Sequence, residues 1–182
     1  CQNLVSLSLA NIESLSNEVL SLIGTKFSSL RILNLSGMPD LTNETLKKII
    51  GQLPELRELN LSMCDNVSDE ILEHIAKNCP NLRSLNIERC IEVSEHGIKY
   101  LADNCPKLTS LKILGNQISS KGIDYLLANT QIDLTELSLD LTCLEMGLLE
   151  KMANQWKNLN YLHIDSIKTG PSVAWLRPAL PK

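Results

Sequence analysis

The feature that most constrains this chain is a leucine pattern that returns at almost constant spacing along most of its length. Each unit contains Leu-x-x-Leu-x-Leu or a close variant, and the opening leucines are separated by five steps of 26 residues and one of 25. They are Leu4, Leu30, Leu56, Leu82, Leu108, Leu134 and Leu159, and we number repeats 1 to 7 after them. Such a period predicts a solenoid, in which each turn buries its apolar side chains only against neighbouring turns.

Each unit predicts a short strand followed by a helix. In repeat 2, Leu33 and Leu35 alternate with polar residues, as expected for a strand with one buried face. A Ser or Thr then marks the start of a helix, because its hydroxyl accepts a hydrogen bond from the first turn; these residues are Ser16, Thr42, Ser68, Ser94 and, after a shorter loop, Ser119. We predict an α/β fold, a right-handed horseshoe of about seven repeats with parallel strands on the concave face and helices on the convex face.

Composition and charge narrow the classes of function. Hydrophobic residues make up 43% of the chain and aromatic residues only 3%, so aliphatic side chains must fill the core. The net charge of −4 argues against a general nucleic-acid binder, because such domains are usually strongly basic. No apolar run approaches the roughly 18 residues of a membrane span. We therefore predict neither a nucleic-acid partner nor a membrane segment.

The cysteines follow the repeat. Five of the six fall at two repeat positions: Cys1, Cys79 and Cys105 end helices, whereas Cys64 and Cys90 follow strands. Equivalent side chains in adjacent turns are about 4.8 Å apart and parallel, and a disulfide needs closer, converging Cβ atoms. We predict buried free thiols, and hence a reducing compartment, the cytosol or the nucleus.

The two ends of the solenoid differ. We assign residues 1–166 to the repeats. Residues 167–182, which contain three prolines, are predicted to be a C-terminal cap in which Trp175 and Leu176 cover the open core. The segment Cys1–Leu4 matches the opening of a unit whose preceding helix is absent, so the N-terminus looks truncated.

Residues 53–107 resemble the cysteine-containing class of leucine-rich repeats, whose unit is Cys-Pro-x-Leu-x-x-Leu-x-Leu-x-x-Cys-x-x-Leu-Thr-Asp-x-Gly-Leu. The closest stretches are 61–69 and 90–98, and the match weakens after Leu134. Proteins of this class are most often F-box proteins, in which an F-box docks on the Skp1 adaptor of a cullin ubiquitin ligase and the repeats hold the substrate. The resemblance implies substrate recognition, with Skp1 and a cullin as partners only if an F-box precedes Cys1. A stand-alone adaptor or scaffold, or a microbial effector without a ligase link, is the alternative.

The outward side chains of the strands form columns on the concave face, which become charged from Glu88 onward. We predict that a protein partner binds the C-terminal half of this face, since aromatic and arginine side chains enrich interfaces; the alternative is an ordinary solvated sheet. The candidate residues are Arg57, Arg83, Glu88, Arg89, Lys112, Glu136, Asp140, Tyr161, His163 and Asp165.

Two polar ladders accompany these columns. Arg31, Arg57 and Arg83 recur one repeat apart and offer a grip for phosphate or an acidic segment. Arginine after the first leucine is also ordinary in this repeat class, so a solvated row is the other interpretation. Asn34, Asn60 and Asn86 are predicted to be structural, with their amides hydrogen-bonding from turn to turn.

No motif indicates catalysis. The sequence lacks Cys-x-x-Cys, His-x-x-x-His and Gly-x-Ser-x-Gly, and its glycines do not group into a phosphate-binding loop. Cysteines one repeat apart do not have the clustered spacing of a zinc site. We therefore predict that the protein is not an enzyme and has no cofactor or metal site.

Overall fold

The computed structural model describes residues 3–12, 15–140 and 147–165. Within them, seven parallel strands form one sheet in chain order, and a helix connects each strand to the next. This arrangement confirms the predicted α/β solenoid. The elements are β1 (Ser6–Ser8), α1 (Asn17–Lys26), β2 (Ile32–Asn34), α2 (Asn43–Ile50), β3 (Glu58–Asn60), α3 (Asp69–Asn78), β4 (Ser84–Asn86), α4 (Glu95–Asn104), β5 (Ser110–Lys112), α5 (Ser120–Ala128), β6 (Glu136–Asp140), α6 (Leu148–Gln155) and β7 (Tyr161–Asp165).

The core is a stack of aliphatic layers between the sheet and the helices. The opening leucines of repeats 2 to 6 are fully buried, and Leu33, Leu59 and Leu85 pair in register along the sheet. On the helix side, Ile71 and Ile75 of α3 are also fully buried. Each turn covers its neighbours, and the burial of this apolar area is the main stabilising contribution to the fold.

The predicted helix starts are confirmed: Ser16, Thr42, Ser68, Ser94 and Ser119 are the N-caps of α1 to α5. A second polar layer joins these caps between repeats. The Oδ1 atom of Asn17 accepts from the backbone N–H of Thr42 at 3.1 Å. Asp69 does the same for Ser94 at 2.8 Å and also accepts the Ser94 hydroxyl at 2.6 Å. The first residue of one helix therefore holds the N-cap of the next.

Gly97 allows α4 to lie close to α3 beside this contact. A Cβ atom at Gly97 would be 2.5 Å from Oδ1 of Asp69 and 2.7 Å from a methyl group of Leu72. Both distances are shorter than van der Waals contact, so a side chain here would push the two helices apart. Glycine is required at this position by space, since its φ angle is not in the left-handed region.

Cys64, Cys79, Cys90 and Cys105 are buried free thiols, as the repeat pattern predicts, whereas Cys1 and Cys143 lie outside the described residues. Burial raises the pKa of Cys79, Cys90 and Cys105 to about 12, and it also raises the pKa of Cys64. The Cys90 thiol donates to the Leu61 carbonyl at 3.1 Å. Because these groups stay protonated at neutral pH, they pack as small apolar side chains.

The predicted role of the asparagine row is wrong in one respect. The amide oxygens of Asn34, Asn60 and Asn86 each accept from the backbone N–H two residues later in the same repeat, at 3.0 Å. They shape the turn after their own strand and do not link successive turns. A link between turns comes from Asn116, which accepts from the Cys90 N–H at 2.9 Å and donates to the Ile87 carbonyl at 2.9 Å.

The predicted C-terminal cap, residues 167–182, lies outside the described residues. In the part of the chain that is described, no helix is both long and apolar enough to cross a membrane.

Candidate functional site on the concave face

Strand register sets the geometry of the concave face. Ser110, Glu136 and Tyr161 are aligned on β5, β6 and β7, as are Lys112, Ser138 and His163. Their side chains share the concave side of the sheet, because residues two apart on a strand point the same way. The predicted columns are thus continuous across repeats 5 to 7.

A depression of about 360 Å³ crosses this face diagonally from repeat 3 to repeat 7. Five of the ten candidate residues line it: Glu88, Arg89, Lys112, Tyr161 and His163. Four further residues line it that were not among the candidates: Ser62, Met63, Leu114 and Ser138. Met63 lies 26 residues before Arg89, one full period, and this spacing is the signal in the sequence that marks it as a lining residue.

Lys112 and Glu136 form an ion pair at 2.8 Å next to the depression. The Ser110 hydroxyl donates to the same carboxylate at 2.7 Å. Burial alone would raise the pKa of Glu136, but the hydrogen bonds from Lys112 and Ser110 outweigh it and lower the pKa. The hydrogen bond to Glu136 raises the pKa of Lys112. Both groups are therefore charged at neutral pH.

The side chain of Glu88 in repeat 4 reaches past repeat 5 to repeat 6. Its Oε1 atom accepts the hydroxyl of Ser138, two repeats later, at 2.6 Å, and its Oε2 atom accepts from the Asn86 amide at 3.4 Å. Ser138 is 1% exposed, so this hydrogen bond is shielded from water. The carboxylate is fixed by neutral donors and forms part of the floor of the depression.

The turns after β1 to β5 each place one residue in the left-handed region. The residues are Asn11, Gly37, Met63, Arg89 and Gly115, with φ angles of 59°, 67°, 58°, 59° and 83°. In repeats 3 and 4 the N–H groups of Met63 and Arg89 donate to carbonyls of the next repeat at 2.9 and 2.8 Å. These turns therefore hold two large side chains at the rim of the depression, at some conformational cost.

The other candidate residues lie outside the lining of the depression. Asp140 is 9% exposed and accepts from the Gly115 N–H at 2.7 Å, which gives it a structural contact. Arg57 and Arg83 precede β3 and β4, Arg83 being exposed and Arg57 half-buried. Asp165 is paired in register with Asp140 at the end of β7.

One other cluster contains the residue types of a serine-hydrolase triad. The Ser94 hydroxyl is 2.6 Å from Oδ2 of Asp69 and 3.2 Å from Nδ1 of His96. The hydrogen bonds are not those of an activated nucleophile. The Ser94 hydroxyl donates its proton to the Asp69 carboxylate, so the His96 imidazole cannot act as the base that removes this proton. The backbone N–H of His96 donates to the Ser94 hydroxyl at 3.3 Å, so the cluster is a helix N-cap.

Comparison with known proteins agrees with the repeat architecture. A family model described as a leucine-rich repeat matches residues 52–76 and 104–127. No curated protein sequence matches the chain.

Solved structures share its fold. Rad7, from the yeast Rad7–Elc1 complex, aligns with a TM-score of 0.61 and 21% identity, over 99% of this chain and 54% of that one. The leucine-rich-repeat-containing protein LegL7 of Legionella pneumophila gives 0.56 and 23%, over 88% and 56%. The tropomodulin C-terminal domain of Caenorhabditis elegans gives 0.55 and 11%, over 87% and 85%. The chain thus spans about half of the Rad7 and LegL7 chains.

Proposed function

Because the chain is a leucine-rich-repeat protein, we propose that it binds another protein on the C-terminal half of its concave face. The observation that carries this proposal is the depression lined by Met63, Arg89, Lys112, Tyr161 and His163. It combines arginine, aromatic and flexible apolar side chains, which are the types that dominate binding energy at protein interfaces.

The ion pair between Lys112 and Glu136 supports the same proposal. It is about two-thirds buried, with side-chain exposures of 34% and 29%, so the lysine is held in place before any partner arrives. Glu88 is held in the same way by Ser138. A surface whose side chains are already ordered loses less conformational entropy on binding, which favours affinity.

We further propose that the bound protein is a substrate of a ubiquitin ligase of the F-box type. This part rests on the resemblance of the Cys-Pro units to the repeats of F-box proteins. The yeast neighbour in the fold comparison was solved as a complex with a second protein, which supports partner binding by this fold and does not identify a partner here. The protein acts in the cytosol or nucleus in this proposal, where its buried thiols remain reduced, and it carries out no reaction of its own.

The interface is tested by replacing Lys112, Tyr161 and His163 with alanine and measuring affinity for a partner identified by co-purification. The expected result is a loss of affinity of about tenfold or more, because interface anchors usually contribute more than 1 kcal/mol each. Alanine at Arg31, an exposed residue of repeat 2, is the control. Unchanged affinity in the triple variant would contradict the proposal.

The ligase link is tested separately by purifying the natural full-length protein and probing for Skp1 and a cullin. Their stoichiometric presence would support substrate recognition for a ligase. Stoichiometric binding of a different protein, without Skp1 or a cullin, would instead support the adaptor, scaffold or effector alternative, and the concave-face proposal would stand.

A further inference from the structure

We propose that the depression binds an extended segment of the partner protein in which an Asp or Glu side chain lies between two apolar side chains, with the acidic group on Arg89. This inference rests on the proposed protein-binding function and specifies the chemistry of the partner. Three observations carry it: an excess of hydrogen-bond donors, the order of apolar side chains along the depression, and its length.

The excess of donors is centred on Arg89. No carboxylate in the described part of the chain forms an ion pair with this exposed arginine, whose guanidinium has five N–H donors. Lys112 uses one donor on Glu136 and has two more. The carboxylate in the lining of the depression, Glu88, is held by Ser138 and Asn86 and forms no ion pair with Arg89. A ligand rich in acceptors complements this surface, and a carboxylate matches the planar fork of arginine.

Apolar side chains lie on both sides of this charge. Met63 of repeat 3 is 51% exposed, Leu114 of repeat 5 is half-buried, and Tyr161 of repeat 7 is 36% exposed. Arg89 belongs to repeat 4, between the first two. An acidic group on Arg89 therefore has apolar neighbours before and after it, so the carboxylate comes from a side chain within the segment and not from the terminal residue of a chain.

The length of the depression fits a short extended segment. It contains residues from five successive repeats, whose strands at about 4.8 Å spacing span about 19 Å. At about 3.3 Å per residue, an extended chain covers this distance with roughly six residues. Such a segment crosses the strands, so its side chains meet successive repeats in turn.

The experiment is selection of binders from a displayed library of random octapeptides, flanked on both sides by constant sequence, against the 182-residue chain. Selected sequences are then synthesised in acetylated and amidated form, and their affinities are measured by fluorescence anisotropy. We expect enrichment of Asp or Glu flanked by Leu, Met or aromatic residues. Replacement of that acid by its amide should weaken binding by about tenfold or more, because a bidentate charged pair is lost.

Variants of the protein locate the acidic contact. Arg89→Gly should weaken the binding of the acidic peptides by about tenfold. Arg89→Glu should weaken it further, since charge repulsion is added. Arg31→Ala removes an exposed arginine that lies outside the depression and is not a candidate residue, and it should change affinity by less than about twofold. Glycine suits the backbone at residue 89, so loss of binding in that variant is not caused by misfolding.

Three results would overturn the inference. In the first, the peptides lose affinity for the Lys112, Tyr161 and His163 alanine variant, but they contain no acidic residue or bind the Arg89 variants with unchanged affinity. The acidic chemistry is then wrong, and the concave-face function stands. If binding requires a free terminal carboxylate and fails with amidated peptides, the source of the carboxylate is wrong. If no selected peptide depends on any residue of the depression, the proposed function fails with it.

Discussion

The carboxylate of Glu88 accepts a hydrogen bond from Ser138 at 2.6 Å, across the intervening repeat 5. Most contacts in a solenoid join adjacent turns, so this bond couples turns that would otherwise be independent. It also holds together two residues that line the depression. Its energetic contribution can be measured without reference to any partner.

Ser138→Ala should lower the free energy of unfolding by about 1.5–3 kcal/mol, because a buried hydrogen bond to a charged group is lost. Urea denaturation measures this change. Ser84→Ala is a matched control, since this residue is aligned in register with Ser110 on the concave face and has no side-chain hydrogen bond in the described structure. A double-mutant cycle with Glu88→Ala, which removes the acceptor, should give a coupling energy above about 0.5 kcal/mol; additive effects would mean that the two residues do not interact.

The Glu136 carboxylate makes stability depend on acid pH. Its pKa is lowered below the ordinary value of 4.5, chiefly because hydrogen bonds from Lys112 and Ser110 overcome the effect of burial. The unfolded chain therefore binds this proton more tightly, and the associated stability, present above 4.5, is lost as pH falls through the folded pKa. Thermal unfolding from pH 6 to pH 3 should show a shallower loss in Glu136→Gln than in the wild type. Parallel curves for the two proteins would contradict this assignment.

The buried thiols make stability depend on alkaline pH in the opposite sense. Burial raises the pKa of Cys79 to about 12 from 9.0, so above pH 9 the unfolded chain releases a proton that the folded chain retains. Each such thiol reduces the free energy of unfolding by up to about 1.4 kcal/mol per pH unit between these values. Cys79→Ala should therefore be less stable at neutral pH but lose stability less steeply from pH 9 to 11, as measured by urea denaturation. An unchanged slope would show that the thiol is not protected by burial.

Asp69 contributes to stability by holding the next helix cap. Asp69→Ala removes the acceptor of two hydrogen bonds from Ser94 and should destabilise the protein by about 2 kcal/mol. Asp69→Asn should be milder, because an amide oxygen can still accept from the Ser94 N–H, as Asn17 does for Thr42. Equal losses for the two variants in thermal unfolding would indicate that the negative charge, and not the hydrogen bond, is the main contribution.

The backbone at Arg89 predicts an unusual response to glycine. Its φ angle of 59° is in the left-handed region, where a residue with a side chain is disfavoured by about 1–2 kcal/mol. Arg89→Gly should therefore be more stable than Arg89→Ala by about 0.5 kcal/mol, after the greater flexibility of glycine in the unfolded chain is included. At Arg83, which is not in this region, the order should reverse. Chemical denaturation of the four variants tests both statements, and the same order at both sites would contradict them.

The sequence was sufficient for the features that recur with the period. The strands, their register, the caps such as Thr42 and the buried cysteines follow from spacing, because each repeat must present the same residue types to its neighbours. The five candidates that line the depression were found because charge and aromatic residues appear on the concave columns from Glu88 onward.

Features set by side-chain conformation were not predictable in this way. Glu88 and Ser138 are 50 residues apart, which is not a multiple of the period, so the spacing of the repeats does not pair them. The left-handed turns are signalled by Gly37 and Gly115, but nothing in the identity of Met63 indicates the same conformation. The asparagine row was assigned to the wrong hydrogen bonds because an amide can satisfy its own turn as readily as the next one.

The constant register of β1 to β4 has a consequence for how such a molecule can change in size. Strands β1 to β4 pair with the same register, so successive repeats here have equivalent contact surfaces. A whole repeat can therefore be duplicated or deleted on the N-terminal side of Ser62 without altering the depression. If a repeat were inserted or deleted between Glu88 and Ser138, the two residues would be separated by one turn too many or too few to form their hydrogen bond. The number of repeats is therefore adjustable before the site and fixed within it, between Glu88 and Ser138.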